Sequence, residues 1–407
     1  MVLNLVMMFE AHQPYRIKSE IDLSIEDPDE LIDRELDRLI INRVVEKCYS
    51  PALDVIKKSL LEASERYGWR YSIGMSISGT LIEQLEETNP QVLEKIRELV
   101  SLDLLEIVAE PYYHSLASEL SREEFEHQLD FSREVLKEKL GREPVGAVNT
   151  ELIYRDEIGC WIAEKGFRYT IIEGSERIFR EDPNHIYSGE CGLKILARHY
   201  RLSDDISFRF NLRSWDQYPL TADKYAEWIY RSPGDLVVVY LDFETFGEHH
   251  PKESGILEFL EYLPLELGRR GVRIISPSQA IELFQPAGYV KTGETSSWAD
   301  TSKDLRAWLG NNLQLAAFNL YKDIGVRVLR LGDEKLVRIW RILGEADHYH
   351  YMYYEPGSDF PVHDYFSYHE SPRKAFESYL RALLVLSMAL ERKRFEKRTR
   401  RKSRRAS

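Results

Sequence analysis

Residues 236–241 read LVVVYL and are followed at once by Asp242. Six apolar residues in succession, with no polar alternation, describe a strand covered on both faces, as in a parallel sheet sheathed by helices. Outward from this stretch the same texture recurs at 2–9 (VLNLVMMF), 70–76 (RYSIGMS), 105–109 (LEIVA), 145–149 (VGAVN), 169–173 (YTIIE) and 272–276 (VRIIS). Helical patterns separate these runs, so the sequence predicts an α/β fold, either a β/α barrel or a doubly wound sheet. One helix announces both its ends. Ser121 and Glu124 form an S-x-x-E capping signal, Phe125, Leu129, Leu136 and Leu140 share a face, and Gly141 stops it. Residues 193–211 read as a β-hairpin insertion turning at Ser203-Asp204-Asp205. Beyond about residue 286 no strand-like run appears, and Leu305, Trp308, Leu309, Leu313, Ala316 and Leu320 recur at helical spacing. Ser371 and Pro372 open a further helix over 372–396. The expected organisation is a barrel over 1–285, a helical domain over 286–392 and a basic, disordered tail over 393–407.

Composition narrows the function classes. The 407 residues are 43% apolar and 30% charged, which excludes a largely disordered or membrane-embedded chain. Net charge is -13; the last seventeen residues carry +8, which leaves -21 on the rest. Nucleic acid is therefore not expected as the main partner, nor is a membrane. The tail reads as a solvated end or as an electrostatic tether. Cys48, Cys160 and Cys191 are odd in number and form no CxxC, which predicts neither a disulfide framework nor a zinc-cysteine site. A reducing compartment fits, and the opening MVLNLVMMFEAHQP has no basic n-region, so the expected location is the cytoplasm.

In parallel β/α folds the reactive groups sit at the carboxyl ends of strands. Those ends carry His12-Gln13-Pro14, Glu110-Pro111, Thr150-Glu151, and Asp242 with Glu244 and Gly247-Glu248-His249-His250. A single glutamate after a strand commonly caps a helix or meets solvent; four such positions point to a shared mouth. Glycosidic cleavage needs two carboxyl groups, one to protonate the leaving oxygen and one to attack the anomeric carbon or activate water. Glu151 and Asp242 are the natural pair. The rival is a metal site built from His12, Asp242, His249 and His250, without an HExxH spacing to support it. There is no GxGxxG, no GxxxxGK[ST] and no G-x-S-x-G.

These residues resemble the motifs of glycoside hydrolase family 57, within its α-amylase group. The resemblance runs through His12-Gln13-Pro14, Ala109-Glu110-Pro111, Asn149–Tyr154, Leu241–His249, and Ser297-Trp298-Ala299-Asp300 continuing to Asn311. It implies an incomplete (β/α)7 barrel followed by a C-terminal helical domain that contributes to the active-site cleft. It also implies retaining cleavage of α-glucosidic bonds with no cofactor and no catalytic metal. Glu151 would be the nucleophile and Asp242 the general acid/base. His12 would bind sugar at the cleavage point, and Glu110, His249, Trp298 and Asp300 would line the subsites. Trp215, an aromatic in an inserted loop, would either stack on a sugar or pack internally. Asp242 must hold its proton, and ionised Glu151 and Glu244 nearby would favour that by repulsion. The expected substrate is an α-1,4-glucan or maltooligosaccharide. Two alternatives use the same residues or the same fold: a branching enzyme or 4-α-glucanotransferase, and a catalytically inactive glucan-binding relative. The aromatic run at Tyr349, Tyr351, Tyr353 and Tyr354 either borders the cleft or packs between domains, and oligomeric state is left open.

Overall fold

The computed structural model describes residues 3–179, 182–354 and 367–406, with side chains described through residue 399. The chain forms two compact units, and both are assembled from non-contiguous pieces.

The first unit comprises residues 1–13, 38–112 and 121–304. Its strands are β1 (Asn4–Ala11), β2 (Ile73–Ile77), β3 (Leu105–Val108), β4 (Tyr169–Glu173), β5 (Ile186–Ser188), β6 (Lys194–Arg198), β7 (Val237–Asp242) and β8 (Arg273–Ile274). β1 pairs in parallel with β2 on one side and with β7 on the other, in a register that sets Glu10 beside Asp242. β2 continues to β3. Residues 145–148 bridge β3 to β4 through Val148 N–H to Ala109 O (2.8 Å) and Ala147 N–H to Tyr169 O (3.1 Å). β4 pairs in parallel with β6. His199 N–H to Val238 O (2.7 Å) then joins the end of β6 to β7. Seven parallel segments thus close a ring among the described residues, and the strands are buried almost throughout, as their continuous apolar runs require.

Two expectations change. The predicted hairpin over 193–211 is displaced upstream: β5 and β6 pair antiparallel, and residues Tyr200–Ser207 are α-helix. Leu202, Ser203 and Ile206 are buried on one face of that helix, a spacing the turn-like Ser203-Asp204-Asp205 obscured. β6 is consequently a ring strand and no insertion. The run at 272–276 contributes only the two-residue β8, which pairs with the start of β1 (Asn4, Leu5) and accepts from Ser72 N–H at Ile274 O (3.2 Å).

The first unit reaches Asp304, beyond the expected boundary at 285. The reason is pairing: Tyr154 and Ser296 exchange backbone hydrogen bonds of 2.8 and 2.9 Å, and Val290 N–H donates to Ser188 O (2.8 Å). Cys160 and Cys191 form a disulfide, their Cα atoms 5.2 Å apart. This overturns the expectation of unbonded cysteines and removes the argument for a reducing compartment. Sequence spacing alone could not bring together residues of the helix Asp156–Glu164 and of the turn between β5 and β6.

The second unit gathers 14–37, 113–120 and 305–407. Glu345, fully buried, holds these pieces together. Its carboxylate accepts from Tyr15 N–H (2.9 Å), and its backbone bridges Ser115. Asn311 and Gln314 cap the helix Asn312–Leu331 reciprocally. Tyr349, Tyr351 and Tyr353 are buried, and the Tyr349 and Tyr379 hydroxyls lie 2.7 Å apart. The last helix, Pro372–Ala406, takes in the stretch expected to be disordered. Arg394 pairs with Glu391 (2.9 Å) and Lys393 with Asp333 (3.2 Å), both within this unit. No helix among the described residues is long and apolar enough to cross a membrane.

Candidate active site

The carboxyl end of the ring carries the chemistry. Glu151 sits in a short 3-10 turn, Thr150–Leu152, immediately after the bridging segment 145–148. Its backbone is left-handed (φ 58°), and so is that of Leu152 (φ 51°). Two successive non-glycine residues in that region cost on the order of 1–3 kcal/mol each. The fold over-determines them: Asn149 Nδ2 donates to Ile153 O (2.9 Å), and the Tyr154–Ser296 pair clamps the exit. The side chain of Glu151 is thereby aimed by backbone geometry. The indole Nε1–H of Trp298 donates to its Oε2 at 2.5 Å, and Trp298 N–H to its carbonyl at 3.3 Å.

Asp242 ends β7 and is half-buried. Two residues on, Glu244 is buried. It accepts a short hydrogen bond from the Tyr49 hydroxyl and one of 3.3 Å from His12 N–H. Burial, then repulsion from Asp242, pushes the Glu244 carboxyl up to about 8, so it is protonated at neutral pH. Glu244 is therefore a carboxyl the fold keeps neutral, where the sequence suggested an ionised neighbour of Asp242. His12 Nδ1 lies 2.8 Å from Ser78 Oγ, and Ser78 caps the helix Gly79–Thr88. Glu110 follows β3 and is fully buried. The Tyr240 hydroxyl, 2.8 Å from Ser76 Oγ, feels Glu10, Glu110 and Asp242 together, and its acidity is suppressed first by burial and then by those charges. His249 N–H donates to Glu244 O (2.9 Å), and burial lowers its imidazole to about 4, leaving it neutral.

Contacts thus link Glu151 to Trp298 and Trp298 to Tyr240 (ring centroids 5.4 Å apart), and the Tyr240 hydroxyl lies within the electrostatic reach of Glu110 and Asp242. Glu244, His12 and His249 continue the network. Trp215 is partly exposed, and its described ring contacts are with Trp228 (centroids 6.0 Å apart) and Arg209 (5.8 Å). Asp300 is exposed in a left-handed turn (φ 51°). Of the histidines in the rival metal set, His250 directs Nε2 at the carbonyls of Ile206 (2.9 Å) and Ser207 (3.0 Å).

Three residues escaped the sequence reading: Glu10, Glu173 and Arg198. Glu173 and Arg198 close β4 and β6, and Glu10 is the penultimate residue of β1, so all three sit where the rule that found Glu151 and Asp242 applies. Glu10 directly follows the first apolar run and was passed over for His12. Glu173 was counted into the run YTIIE, and Arg198 belonged to a segment read as a hairpin.

A family model described as Glycosyl hydrolase family 57 matches residues 6–293. A protein of Methanocaldococcus jannaschii, provisionally named an alpha-amylase, is 39% identical over 413 residues, 97% of this chain and 87% of its own length. An alpha-amylase of Pyrococcus furiosus is 22% identical over 289 residues, 66% of this chain but only 41% of that enzyme, so the chain spans well under half of it. A branching enzyme from Pyrococcus horikoshii superposes with a TM-score of 0.66 at 15% identity, over 97% of this chain and 95% of its own; it speaks to the fold alone. The ring of parallel strands agrees with that fold. The matched span takes in β2 to β8, all of β1 from Val6 onward, and both Glu151 and Asp242, and on that basis the chain belongs to glycoside hydrolase family 57.

Proposed function

We propose that this chain is a retaining α-glucan hydrolase of the α-amylase type, with Glu151 as nucleophile and Asp242 as general acid/base. The observation that carries the reading is the held carboxylate of Glu151. A strained backbone aims it and an indole N–H hydrogen-bonds it, at the strand end next to the Asp242 network. In the first step Asp242 gives its proton to the glycosidic oxygen while Glu151 attacks the anomeric carbon. The leaving glucan departs, and a glycosyl ester forms on Glu151. In the second step Asp242 takes a proton from water, the hydroxide attacks the same carbon, and Glu151 is released as carboxylate. Neutral Glu244 and neutral His249 would offer uncharged polar groups to sugar hydroxyls beside this pair.

The test is incubation of the purified protein with a defined maltooligosaccharide, product lengths being followed by chromatography beside a Glu151→Gln control. Shorter products alone support hydrolysis. Products both longer and shorter than the substrate mean glucosyl transfer at the same site. No change relative to the control overturns the catalytic reading and leaves glucan binding without turnover.

A further inference from the structure

We infer that Arg198, with Glu173 and Lys303, is a positioning assembly that sets Trp298 on the nucleophile, an inference that rests on the proposed role of Glu151. None of these three touches the reacting atoms. They act through the indole.

The Arg198 guanidinium is almost fully buried (3% exposed) and is held at three points. Nη1 donates to Glu173 Oε2 (3.1 Å), Nη2 to Asp204 Oδ1 (2.7 Å) and Nε to Tyr240 O (2.7 Å). Its partners come from β4, from the helix after β6 and from β7, so one cation ties three neighbouring parts of the ring. The guanidinium carbon sits 5.5 Å from the Trp298 ring centroid, and the Tyr240 ring packs on the same indole. Lys303 Nζ donates to Trp298 O (2.8 Å) and lies 3.8 Å from Glu173 Oε1. Trp298 is therefore gripped at its carbonyl, at its ring and at its backbone N–H, and its indole N–H is left pointing at Glu151. The titratable groups around the guanidinium are Glu173, Asp204, His199, Tyr225 and Tyr240, with Lys303 across Glu173.

Energetics favour positioning over stabilisation as the reason for this cluster. Burial pushes the Glu173 carboxyl up while Arg198 and Lys303 pull it back, so attraction is spent against desolvation. A buried ion pair of this kind commonly adds little net stability over well-packed apolar residues. What it adds here is direction: a planar, three-point fork cannot rotate, and the indole resting on it keeps its N–H on one carboxylate oxygen. Loosening the fork withdraws the N–H from the carboxylate oxygen and leaves the nucleophile free to turn away from its attacking orientation.

The experiment uses Arg198→Lys, which keeps the charge and loses the fork, with Lys303→Gln as a second variant should the first fail to fold. With maltooligosaccharide, kcat is expected to fall by about 10- to 100-fold while KM changes less than about 3-fold, as for a misplaced reacting group. In a Trp298→Phe background, which already lacks the N–H, adding Arg198→Lys costs less than about 3-fold. The substrate-independent reading is the 15N–1H signal of the Trp298 indole, assigned by its loss in Trp298→Phe. In Arg198→Lys this proton signal moves upfield, as its hydrogen bond to Glu151 is loosened. Additive losses with an unmoved indole signal would overturn the inference and leave Arg198 a structural residue. Wild-type protein without activity, but with an indole signal that moves in Arg198→Lys, would instead sink the hydrolase reading and keep the positioning assembly.

Discussion

Replacing Glu244 with glutamine tests the electrostatics of the site without touching its reactive pair. The Glu244 carboxyl is buried, accepts from the Tyr49 hydroxyl and His12 N–H, and is raised from 4.5 to about 8. In the unfolded chain it loses its proton near pH 4.5. Between those values the folded protein holds one proton that the unfolded chain does not, so rising pH favours unfolding. For a single group the loss relative to a non-titrating residue is about 1 kcal/mol at pH 5 and about 4 kcal/mol at pH 8. Glutamine keeps the acceptor oxygen for Tyr49 and His12 and does not titrate. The gap between Glu244→Gln and wild type is thus expected to widen by about 3 kcal/mol from pH 5 to pH 8, the variant gaining. For a cooperative unit of this size that corresponds to a relative Tm change of about 5 °C. Thermal unfolding of both proteins at half-unit pH steps, in constant ionic strength, is the assay. Parallel pH curves for the two proteins would refute the assignment of a neutral buried carboxyl here.

Three further expectations follow from local geometry. The Cys160–Cys191 disulfide closes a loop of sequence separation 31, so the double substitution to serine lowers stability by about 3–4 kcal/mol, read by unfolding under non-reducing conditions. An unchanged midpoint would mean that the bridge does not restrain the unfolded chain. Gly247 has φ +134°, and a Cβ there would stand 2.0 Å from the Lys47 carbonyl oxygen, so Gly247→Ala destabilises by about 3 kcal/mol or more, measured by denaturant midpoint. His348 is buried and lowered to about 4 from 6.5 by desolvation, so it contributes stability above pH 6.5 that is lost as pH falls toward 4. His348→Gln then removes about 3 kcal/mol of acid-induced loss, and an acid limb as steep as wild type would contradict the neutral imidazole.

The sequence was legible where a signal was local and repeated. Continuous apolar runs located β1, β2, β3, β4 and β7, and the Ser121 cap and Gly141 stop bounded their helix as read. Residues after strand ends led to Glu151, Asp242, Glu110 and His12, because strand direction fixes where side chains converge. Legibility failed where a strand was short and its ends charged. β6 has only Ile195, Leu196 and Ala197 between Lys194 and Arg198, and the pattern gave no hint that Arg198 is buried. It failed again for long-range pairing. The exchange between Tyr154 and Ser296, and the approach of Cys160 to Cys191, depend on closure of the ring rather than on anything near them in sequence.

The three-piece construction of the second unit bears on how this chain is made and how its gene can change. Tyr15 leaves the ribosome 330 residues before Glu345, the carboxylate that receives its N–H, so early segments of that unit must wait through synthesis of the whole ring. Cutting the gene at 304/305 would strand residues 14–37 and 113–120 without the buried glutamate that staples both. A recombination event that exchanges only the last hundred residues inherits the same mismatch. The second unit is hereditarily tied to the first, and variation in it is expected to accumulate by point substitution rather than by shuffling.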